Sequence, residues 1–234
     1  MKAMILAAGR GERMRPLTDI TPKPLLKVKD KELIVYHIEK LAKLGFESII
    51  INIAHLGYKI PDTLGDGSKW GTKIIYSDEQ KDGALESAGG IIKALPLLGN
   101  DTFLVVNGDL FCDYDFNPNF DLGDDLAHLV LVPNPSHNLD GDFGLIDSRV
   151  LNKAETMYTF SGIGYYSSKL FDYLHPKGTM HVEKKALAPL LRNAIKQDKV
   201  SGSLHVGDWH DIGTPQRLKE VEDFNSQETI QKRS

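Results

Sequence analysis

Short apolar runs and amphipathic segments alternate along the first half of the chain. The runs at 3–8 and 48–54 are typical of strands that are buried on both faces. Between them, residues 33–45 repeat apolar positions at helical spacing and end at Gly45, which predicts a helix with a glycine C-cap. Strands separated by segments of helical length indicate βαβ units and a mostly parallel sheet that is covered on both faces.

The second half is less regular, but it continues the same types of element. Further strands are predicted at 72–78, 101–109, 126–134, 158–166 and 204–213, and further helices at 86–98, 184–197 and 214–224. We expect Pro96 to break the first of these helices and Thr214 to cap the last. The pattern predicts a Rossmann-like three-layer α/β/α sandwich, formed by a single domain at 1–225 and followed by a polar tail at 226–234.

Composition narrows the possible partners. The 234 residues carry a formal net charge of −4, which argues against nucleic acid as the main partner because such proteins have a basic excess. Cys112 is the single cysteine, so a disulfide framework is excluded and a reducing cytoplasm is expected. No apolar run has the length of a signal peptide or a membrane span, and no membrane partner is expected.

Positive charge is concentrated in the turn after the first predicted strand. Gly9 and Gly11 allow backbone amides to approach a ligand, and Arg15 and the proline-flanked Lys23 supply cations for phosphate oxygens. The alternative is an ordinary turn with solvated arginines. A dinucleotide-binding oxidoreductase is disfavoured because Met14 stands near the position of its third glycine.

Two aspartates follow predicted strands far apart in the sequence. Asp109 ends the apolar run at 103–109, and Asp211 precedes a Gly-Thr-Pro turn. Carboxylates at strand ends can share one Mg²⁺ ion with a triphosphate, but aspartate also caps turns routinely. Spacing alone leaves both interpretations open.

The segment Leu6–Leu26, LAAGRGERMRPLTDITPKPLL, resembles the signature Gly-x-Gly-x-Arg-(Met/Leu)-x-Pro…Pro-Lys-Pro of sugar-1-phosphate nucleotidyltransferases. Further stretches, among them FLVVNGD, TFSGIG and WHDIGTPQRL, extend the resemblance to about Asn225. It implies the nucleotide-diphospho-sugar transferase fold and Mg²⁺-dependent transfer of a uridylyl group from UTP, or another NTP, to a sugar 1-phosphate. The expected sugar is N-acetylmuramic acid 1-phosphate, in peptidoglycan recycling.

The same resemblance implies roles for individual residues. It assigns catalysis to Arg15 and Lys23 and the metal to Asp109 and Asp211. It assigns nucleotide binding to Ala7, Ala8, Gly9, Gly11, Glu86, Gly89 and Gly90, and sugar-phosphate binding to Asn107, Asp142, Gly144 and Gly162. The Glu-Lys-Pro motif whose lysine holds the sugar phosphate in many relatives is missing, and Lys153, Lys184 and Lys185 are candidate substitutes.

Two alternatives remain open at this point. One is a nucleotidyltransferase with another pairing, such as GTP with mannose 1-phosphate or dTTP with glucose 1-phosphate, because a few pocket contacts set base and sugar. The other is a non-catalytic regulatory domain that binds sugar nucleotides, which the presence of all the predicted catalytic residues disfavours. The sequence does not determine the oligomeric state.

Overall fold

The computed structural model describes residues 1–81, 83–172 and 182–231, with side chains up to residue 223. Its strands are β1 (Lys2–Leu6), β2 (Lys27–Val28), β3 (Lys31–Glu32), β4 (Ile49–Ile53), β5 (Ile74–Asp78), β6 (Phe103–Asn107), β7 (Leu110–Cys112), β8 (Ala127–Val132), β9 (Phe143–Ile146), β10 (Arg149–Leu151), β11 (Met157–Tyr166), β12 (Val200–Leu204) and β13 (Trp209–Asp211). Its α-helices are α1 (Leu33–Lys43), α2 (Lys59–Leu64), α3 (Glu86–Leu98), α4 (Lys169–Asp172), α5 (Ala188–Lys196) and α6 (Pro215–Gln231). Short 3-10 turns occupy Glu12–Met14, Leu17–Asp19, Lys23–Leu25 and Ser68–Trp70.

In the described part of the chain, nine strands form the central sheet in the order β5-β4-β1-β6-β11-β8-β12-β10-β9. Strands β5, β4, β1 and β6 pair in parallel, as do β8 and β12. Strand β11 is antiparallel to both β6 and β8. Along the sheet from β5 to β12, in the spatial order given above, every strand except β11 therefore runs in the same direction. This confirms the prediction of a mostly parallel sheet.

Apolar side chains on the two faces of the sheet belong to different core clusters. On β1, Ala3 and Ile5 pack with the apolar face of α1, including Ile34, while Met4 packs with α3, including Ile91. All of these side chains are fully buried. Because alternate residues of a strand point to opposite faces, one short apolar strand anchors both helical layers and produces the predicted sandwich.

Two predicted helix caps are confirmed, and one predicted helix break is wrong. Helix α1 stops before Gly45, whose φ of 79° suits a glycine C-cap, and the hydroxyl of Thr214 accepts from the Arg217 N–H at 3.3 Å. The prediction that Pro96 breaks α3 is wrong, because the helix continues to Leu98. Proline removes one hydrogen bond but has a helical φ, so the final turn accommodates it.

A third, smaller apolar cluster holds the segment that follows β1 against the end of the chain. Its buried members are Met14, Leu26, Val28, Leu33, Ile212 and Val221. Helix α6 thus packs against the opening segment, and it extends past the boundary predicted at residue 225, which stays a prediction. In the described ranges, no helix is both long and apolar enough to cross a lipid bilayer.

Candidate active site

Two adjoining clefts lie at the carboxyl ends of β1 and β6. The first cleft has a volume of about 510 Å³ and is lined by residues 6–13, Lys23, Pro24, Asn52, Ala84, Glu86, Ser87, Asn107, Asp109, Lys184 and Gly213. The second cleft, of about 460 Å³, is lined by Leu6, Glu86, Ser87, Val105, Asn107, Asp142, Phe143, Phe160, Gly162, Tyr166, residues 186–188, Leu191 and Arg192. Leu6, Glu86, Ser87 and Asn107 line both, so the clefts are continuous.

The backbone after β1 forms one wall of the first cleft, as the sequence predicts for Ala7, Ala8, Gly9 and Gly11. A Cβ atom at Gly9 would meet nothing within 4 Å, so this glycine faces the open cleft. Gly11 has a φ of +64°, and a Cβ atom there would lie 2.9 Å from Cγ2 of Thr18. Gly9 therefore leaves space for a ligand, while Gly11 is required by the turn itself.

The arginines of the opening segment point in different directions. Arg13 lines the first cleft, whereas Arg15 is not among its described lining residues. The side chain of Arg15 is 63% exposed and forms an ion pair with Asp19 at 3.2 Å. Met14 between them is fully buried in the third apolar cluster, which forces its two neighbours apart. The structure thus places Arg13, and not Arg15, at the cleft, and the signature pattern itself has its arginine at position 13; the catalytic role of Arg15 stays a prediction that this placement does not support.

Lys23 and Asp109, predicted independently, lie together in the first cleft. The Nζ atom of Lys23 donates to Oδ2 of Asp109, and the lysine side chain is only 12% exposed. Lys23 begins the 3-10 turn Lys23–Leu25, whose N-cap is Pro22 and whose second residue is Pro24. The prolines restrict the backbone, and the carboxylate fixes the ammonium group, so the positive charge is held at the cleft wall.

Asp211 ends β13, and β13 pairs with β7, the strand that begins immediately after Asp109. The Ile212 N–H donates to the Asp109 carbonyl at 2.9 Å, and together with the strand pairing this brings the two aspartates close in the backbone. The carboxylate of Asp211 pairs through Oδ1 with Arg217 and with His137, the latter at 3.1 Å. Asp211 itself is not among the described residues that line the first cleft.

The donor set at this edge suits a hard cation. Among the described residues, no cluster of three or more His, Cys, Asp or Glu side chains forms a complete metal site. Mg²⁺, however, commonly takes one or two carboxylates and completes its shell with phosphate oxygens and water. The contacts above use Oδ2 of Asp109 and Oδ1 of Asp211, and the other oxygen of each carboxylate is a candidate metal ligand. The pair therefore fits a metal that arrives with a phosphate ligand.

The start of α3 contributes Glu86 to both clefts, whereas the two glycines in the first turns of this helix pack against other parts of the protein. A Cβ atom at Gly89 would lie 2.7 Å from the Glu183 carbonyl, and one at Gly90 would lie 2.8 Å from Nδ2 of Asn52 and Oε1 of Glu79. Neither glycine is among the described lining residues of either cleft. Close packing thus accounts for Gly89 and Gly90, and the direct nucleotide contacts predicted for them stay predictions.

The packing against Gly90 supports the wall of the first cleft. Asn52 accepts from the Ala7 N–H at 2.7 Å and donates to the fully buried Glu79 at 2.7 Å, and Glu79 also accepts from the Leu85 N–H at 2.9 Å. This network ties β1, β4 and the entry of α3 together. The Ala7 N–H is therefore engaged within the protein.

Three of the four residues predicted for the sugar phosphate line the second cleft. They are Asn107, Asp142 and Gly162. Gly162 has a φ of +80°, and a Cβ atom there would lie 2.9 Å from Cγ of Asn107, so this glycine makes room for the Asn107 side chain. Gly144 is a correction: it faces Ala154 in the fold and is not among the described lining residues.

One candidate for the missing lysine reaches the site. Lys184 lines the first cleft, with Nζ 3.5 Å from Oε1 of Glu86. Lys185 pairs with Glu183 at 3.2 Å, and its backbone bonds to Leu85 and to the first turn of α3. Lys153 is not among the described lining residues of either cleft. The sequence analysis assigned no site role to Arg13, Ser87 or Arg192. Of these three residues, only Arg13 belongs to a recognisable motif.

A charged cleft beside the glycine turn of a Rossmann-like sheet, joined to a more apolar cleft, defines an α/β protein for a phosphorylated nucleotide and a second substrate. The nucleotidyl transferase family matches residues 2–228, and the chain belongs to this family.

Individual relatives show which members of the family the chain resembles. The chain is 52% identical over 230 residues to the N-acetylmuramate alpha-1-phosphate uridylyltransferase of Neisseria meningitidis serogroup B, covering 95% of this chain and 97% of the relative. It is 28% identical to a mannose-1-phosphate guanylyltransferase of Mycobacterium tuberculosis, covering 92% of this chain and 61% of the relative. A crystal structure of a Bacillus anthracis protein, provisionally titled glucose-1-phosphate thymidylyltransferase, superposes with a TM-score of 0.80 at 25% identity, covering 96% and 94% of the two chains.

Proposed function

We propose that the protein transfers the uridylyl group of UTP to N-acetylmuramate 1-phosphate. A phosphate oxygen of the sugar phosphate attacks the α-phosphorus of UTP, and the bond from that phosphorus to the bridging oxygen breaks. The products are UDP-N-acetylmuramate and pyrophosphate. The observation that carries this proposal is the 52% identity, over nearly the whole of both chains, to a uridylyltransferase with this sugar phosphate in its name.

The reaction needs little proton chemistry from the protein. The attacking phosphate oxygen is already an anion, so catalysis consists mainly of positioning the reactants and neutralising negative charge. We assign Lys23 to the space between the two reacting phosphates, where its ammonium group offsets their repulsion. Its low exposure and fixed orientation support this role, since a restrained charge needs no reorganisation during the reaction.

We assign to Arg13 the role that the sequence suggested for Arg15. Arg13 lines the first cleft on the same turn as Gly11, and its guanidinium can donate hydrogen bonds to two oxygens of the triphosphate at once. Stabilising the leaving pyrophosphate in this way acts on charge that grows in the transition state. Removing one such contact commonly costs about 3 kcal/mol, or roughly a hundredfold in rate.

Mg²⁺ is the proposed cofactor, held by Asp109 and Asp211. Their oxygen donors and their closeness in the paired strands β7 and β13 support this assignment. When bound, the ion supplies Lewis acid stabilisation of phosphate charge. Lys23 and Arg217 keep the two carboxylates oriented through the ion pairs described above.

The two clefts divide the substrates between them in this proposal. UTP occupies the first cleft, with its phosphates against Gly9 and Gly11 and its uridine towards Glu86. The sugar occupies the second cleft, near Asp142 and Gly162, and Asn107 lies where the clefts meet. Lys184, on the first cleft, is the proposed substitute for the lysine of the missing Glu-Lys-Pro motif. We further propose that the reaction takes place in the cytoplasm, in the recycling of peptidoglycan sugars.

The test is pyrophosphate release, measured with each of UTP, GTP, dTTP, CTP and ATP against N-acetylmuramate, N-acetylglucosamine, glucose and mannose 1-phosphates. We expect the highest kcat/KM for UTP with N-acetylmuramate 1-phosphate, and loss of activity with EDTA that Mg²⁺ restores. A preference for GTP with mannose 1-phosphate, or for dTTP with glucose 1-phosphate, would replace the proposed specificity. Binding without any pyrophosphate release would point to a regulatory domain instead.

A further inference from the structure

The second cleft contains a guanidinium group that neither the signature nor the reaction chemistry requires. Arg192, on α5, lines this cleft and does not line the first. It supplies the cation among the described lining residues of the second cleft, which also include the acidic Glu86 and Asp142. A cation at the sugar end, away from the triphosphate, requires a separate explanation.

Contacts on two sides hold the guanidinium of Arg192 in position. Its Cζ atom lies 5.0 Å from the centroid of the Phe143 ring, and its Nη2 donates to the Asp142 carbonyl oxygen at 3.4 Å. The carboxylate of Asp142 is engaged elsewhere, since Oδ2 accepts from the Phe160 N–H at 2.8 Å and from Asn138 at 3.2 Å. In the described ranges, no carboxylate forms an ion pair with Arg192, and the residue is exposed to solvent, so its guanidinium can be reached by a ligand carboxylate.

The apolar residues around Arg192 make a charged ligand contact favourable there. Phe143, Phe160 and Leu191 line the same cleft, so a ligand that covers the exposed Arg192 would exclude water from the charged contact and strengthen it. A guanidinium presents five N–H donors in a fixed fork that matches the two oxygens of a carboxylate, and a single one is accounted for by the Asp142 carbonyl. The second cleft is therefore suited to a sugar that carries a carboxylate.

We propose that Arg192 binds the carboxylate of the lactyl ether substituent of N-acetylmuramate 1-phosphate and thereby selects this sugar over N-acetylglucosamine 1-phosphate. The proposal rests on the proposed function. N-acetylglucosamine differs from N-acetylmuramate by the absence of that substituent, so its phosphate lacks the partner for Arg192. Hydrogen bonds to charged groups contribute about 1.5–3 kcal/mol, which predicts selectivity on the order of ten- to a hundredfold.

The test compares the two sugar phosphates, with UTP, in variants of Arg192. Arg192→Met keeps an unbranched stem over Phe143 and removes the charge, so packing is largely retained. We expect its kcat/KM for N-acetylmuramate 1-phosphate to fall about ten- to a hundredfold, with less than a twofold change for N-acetylglucosamine 1-phosphate. Arg192→Lys should recover part of the loss. Lys196→Met, at an exposed position of the same helix outside both clefts, is the matched control and should leave both values unchanged.

The ratio of the two kcat/KM values decides the assignment. Equal losses on both sugars in Arg192→Met would mean a structural role, and no loss on either would mean no role; both overturn the proposal. If N-acetylglucosamine 1-phosphate is not turned over, its inhibition constant replaces kcat/KM in the ratio. A wild-type enzyme that releases no pyrophosphate with either sugar contradicts the proposed function instead, and calorimetric binding of the two sugar phosphates to wild type and Arg192→Met then decides the role of Arg192.

Discussion

The two clefts differ in how their polar groups are supplied. The first receives Arg10, Arg13 and Lys23 from a single continuous segment, together with Asp109 from a strand end. The second receives single polar groups from several elements, such as Asp142 before β9, Gly162 within β11 and Arg192 on α5, among mainly apolar neighbours. In the proposed function, phosphate chemistry belongs to the first cleft and the choice of sugar to the second.

This difference has a consequence for variants. A charge removed from the first cleft should slow the reaction with every sugar phosphate, because all of them present the same phosphate. A group removed from the second cleft should change the ranking of sugars. The predictions that follow concern the first cleft, the packing that supports it and the buried core, beginning with the largest expected effect.

Lys23→Ala should reduce kcat about a hundredfold with every sugar phosphate that the wild type accepts, because a fixed charge between the reacting phosphates is lost. Lys27→Ala is the matched control: Lys27 lies in the same segment, and its exposed side chain pairs with Glu32 at 3.6 Å. Its kcat should stay within twofold of wild type. Loss of activity towards one sugar alone in Lys23→Ala would assign this lysine to sugar selection and remove the contrast between the clefts.

Gly9→Ala and Gly90→Ala test the difference between a glycine that faces the open cleft and a glycine that packs against protein atoms. At Gly9 a methyl group meets no protein atom within 4 Å, so the melting temperature should stay unchanged, while the KM for UTP should rise about tenfold because the methyl occupies ligand space. At Gly90 the methyl would lie 2.8 Å from Asn52 and Glu79, which should lower the free energy of unfolding by about 1–3 kcal/mol. Calorimetry and steady-state kinetics measure both; a destabilised Gly9→Ala with normal KM would contradict this separation.

Acid should destabilise the core through its buried histidines. Burial lowers the pKa of His37 and of His128 to about 4, and among the described residues no histidine lines either cleft. Between pH 6.5 and 4 the unfolded chain therefore binds more protons than the folded one, and stability falls as the pH is lowered through this range. Each histidine contributes at most about 1.4 kcal/mol per pH unit.

Urea unfolding at pH 7, 6 and 5 measures this dependence. His37→Gln and His128→Gln should each make stability less dependent on pH. A midpoint that does not change between pH 7 and pH 5 in the wild type would contradict the burial argument.

Much of the first cleft could be predicted from the sequence, because its residues are adjacent in the chain or end apolar strands. Gly9, Lys23 and Asp109 all line it. The reversed direction of β11 could not be predicted, since an apolar run does not encode the direction in which a strand pairs. The position of Arg15 outside the first cleft could not be predicted, because two exposed arginines in one short turn differ only in the side that they occupy, and the burial of Met14 between them decides that side.

The glycines show a different limit of prediction. Gly9, Gly89, Gly90 and Gly144 all lie in segments that resemble the family, yet one faces a cleft and the other three pack against protein atoms. The reason for a glycine depends on what lies opposite it in space, which no local pattern records. Arg192 was missed for a related cause: it lies on an ordinary amphipathic helix, and only the fold brings it to Phe143 and the second cleft.

In the proposed mechanism, the opening segment supplies its phosphate-binding arginine from position 13. The deciding measurement is pyrophosphate release from UTP and N-acetylmuramate 1-phosphate by Arg13→Ala and Arg15→Ala, two variants that remove the same side chain two residues apart. We predict a loss of about a hundredfold in kcat for Arg13→Ala and less than twofold for Arg15→Ala. The reverse order would contradict the assignment of the first cleft as the site of reaction.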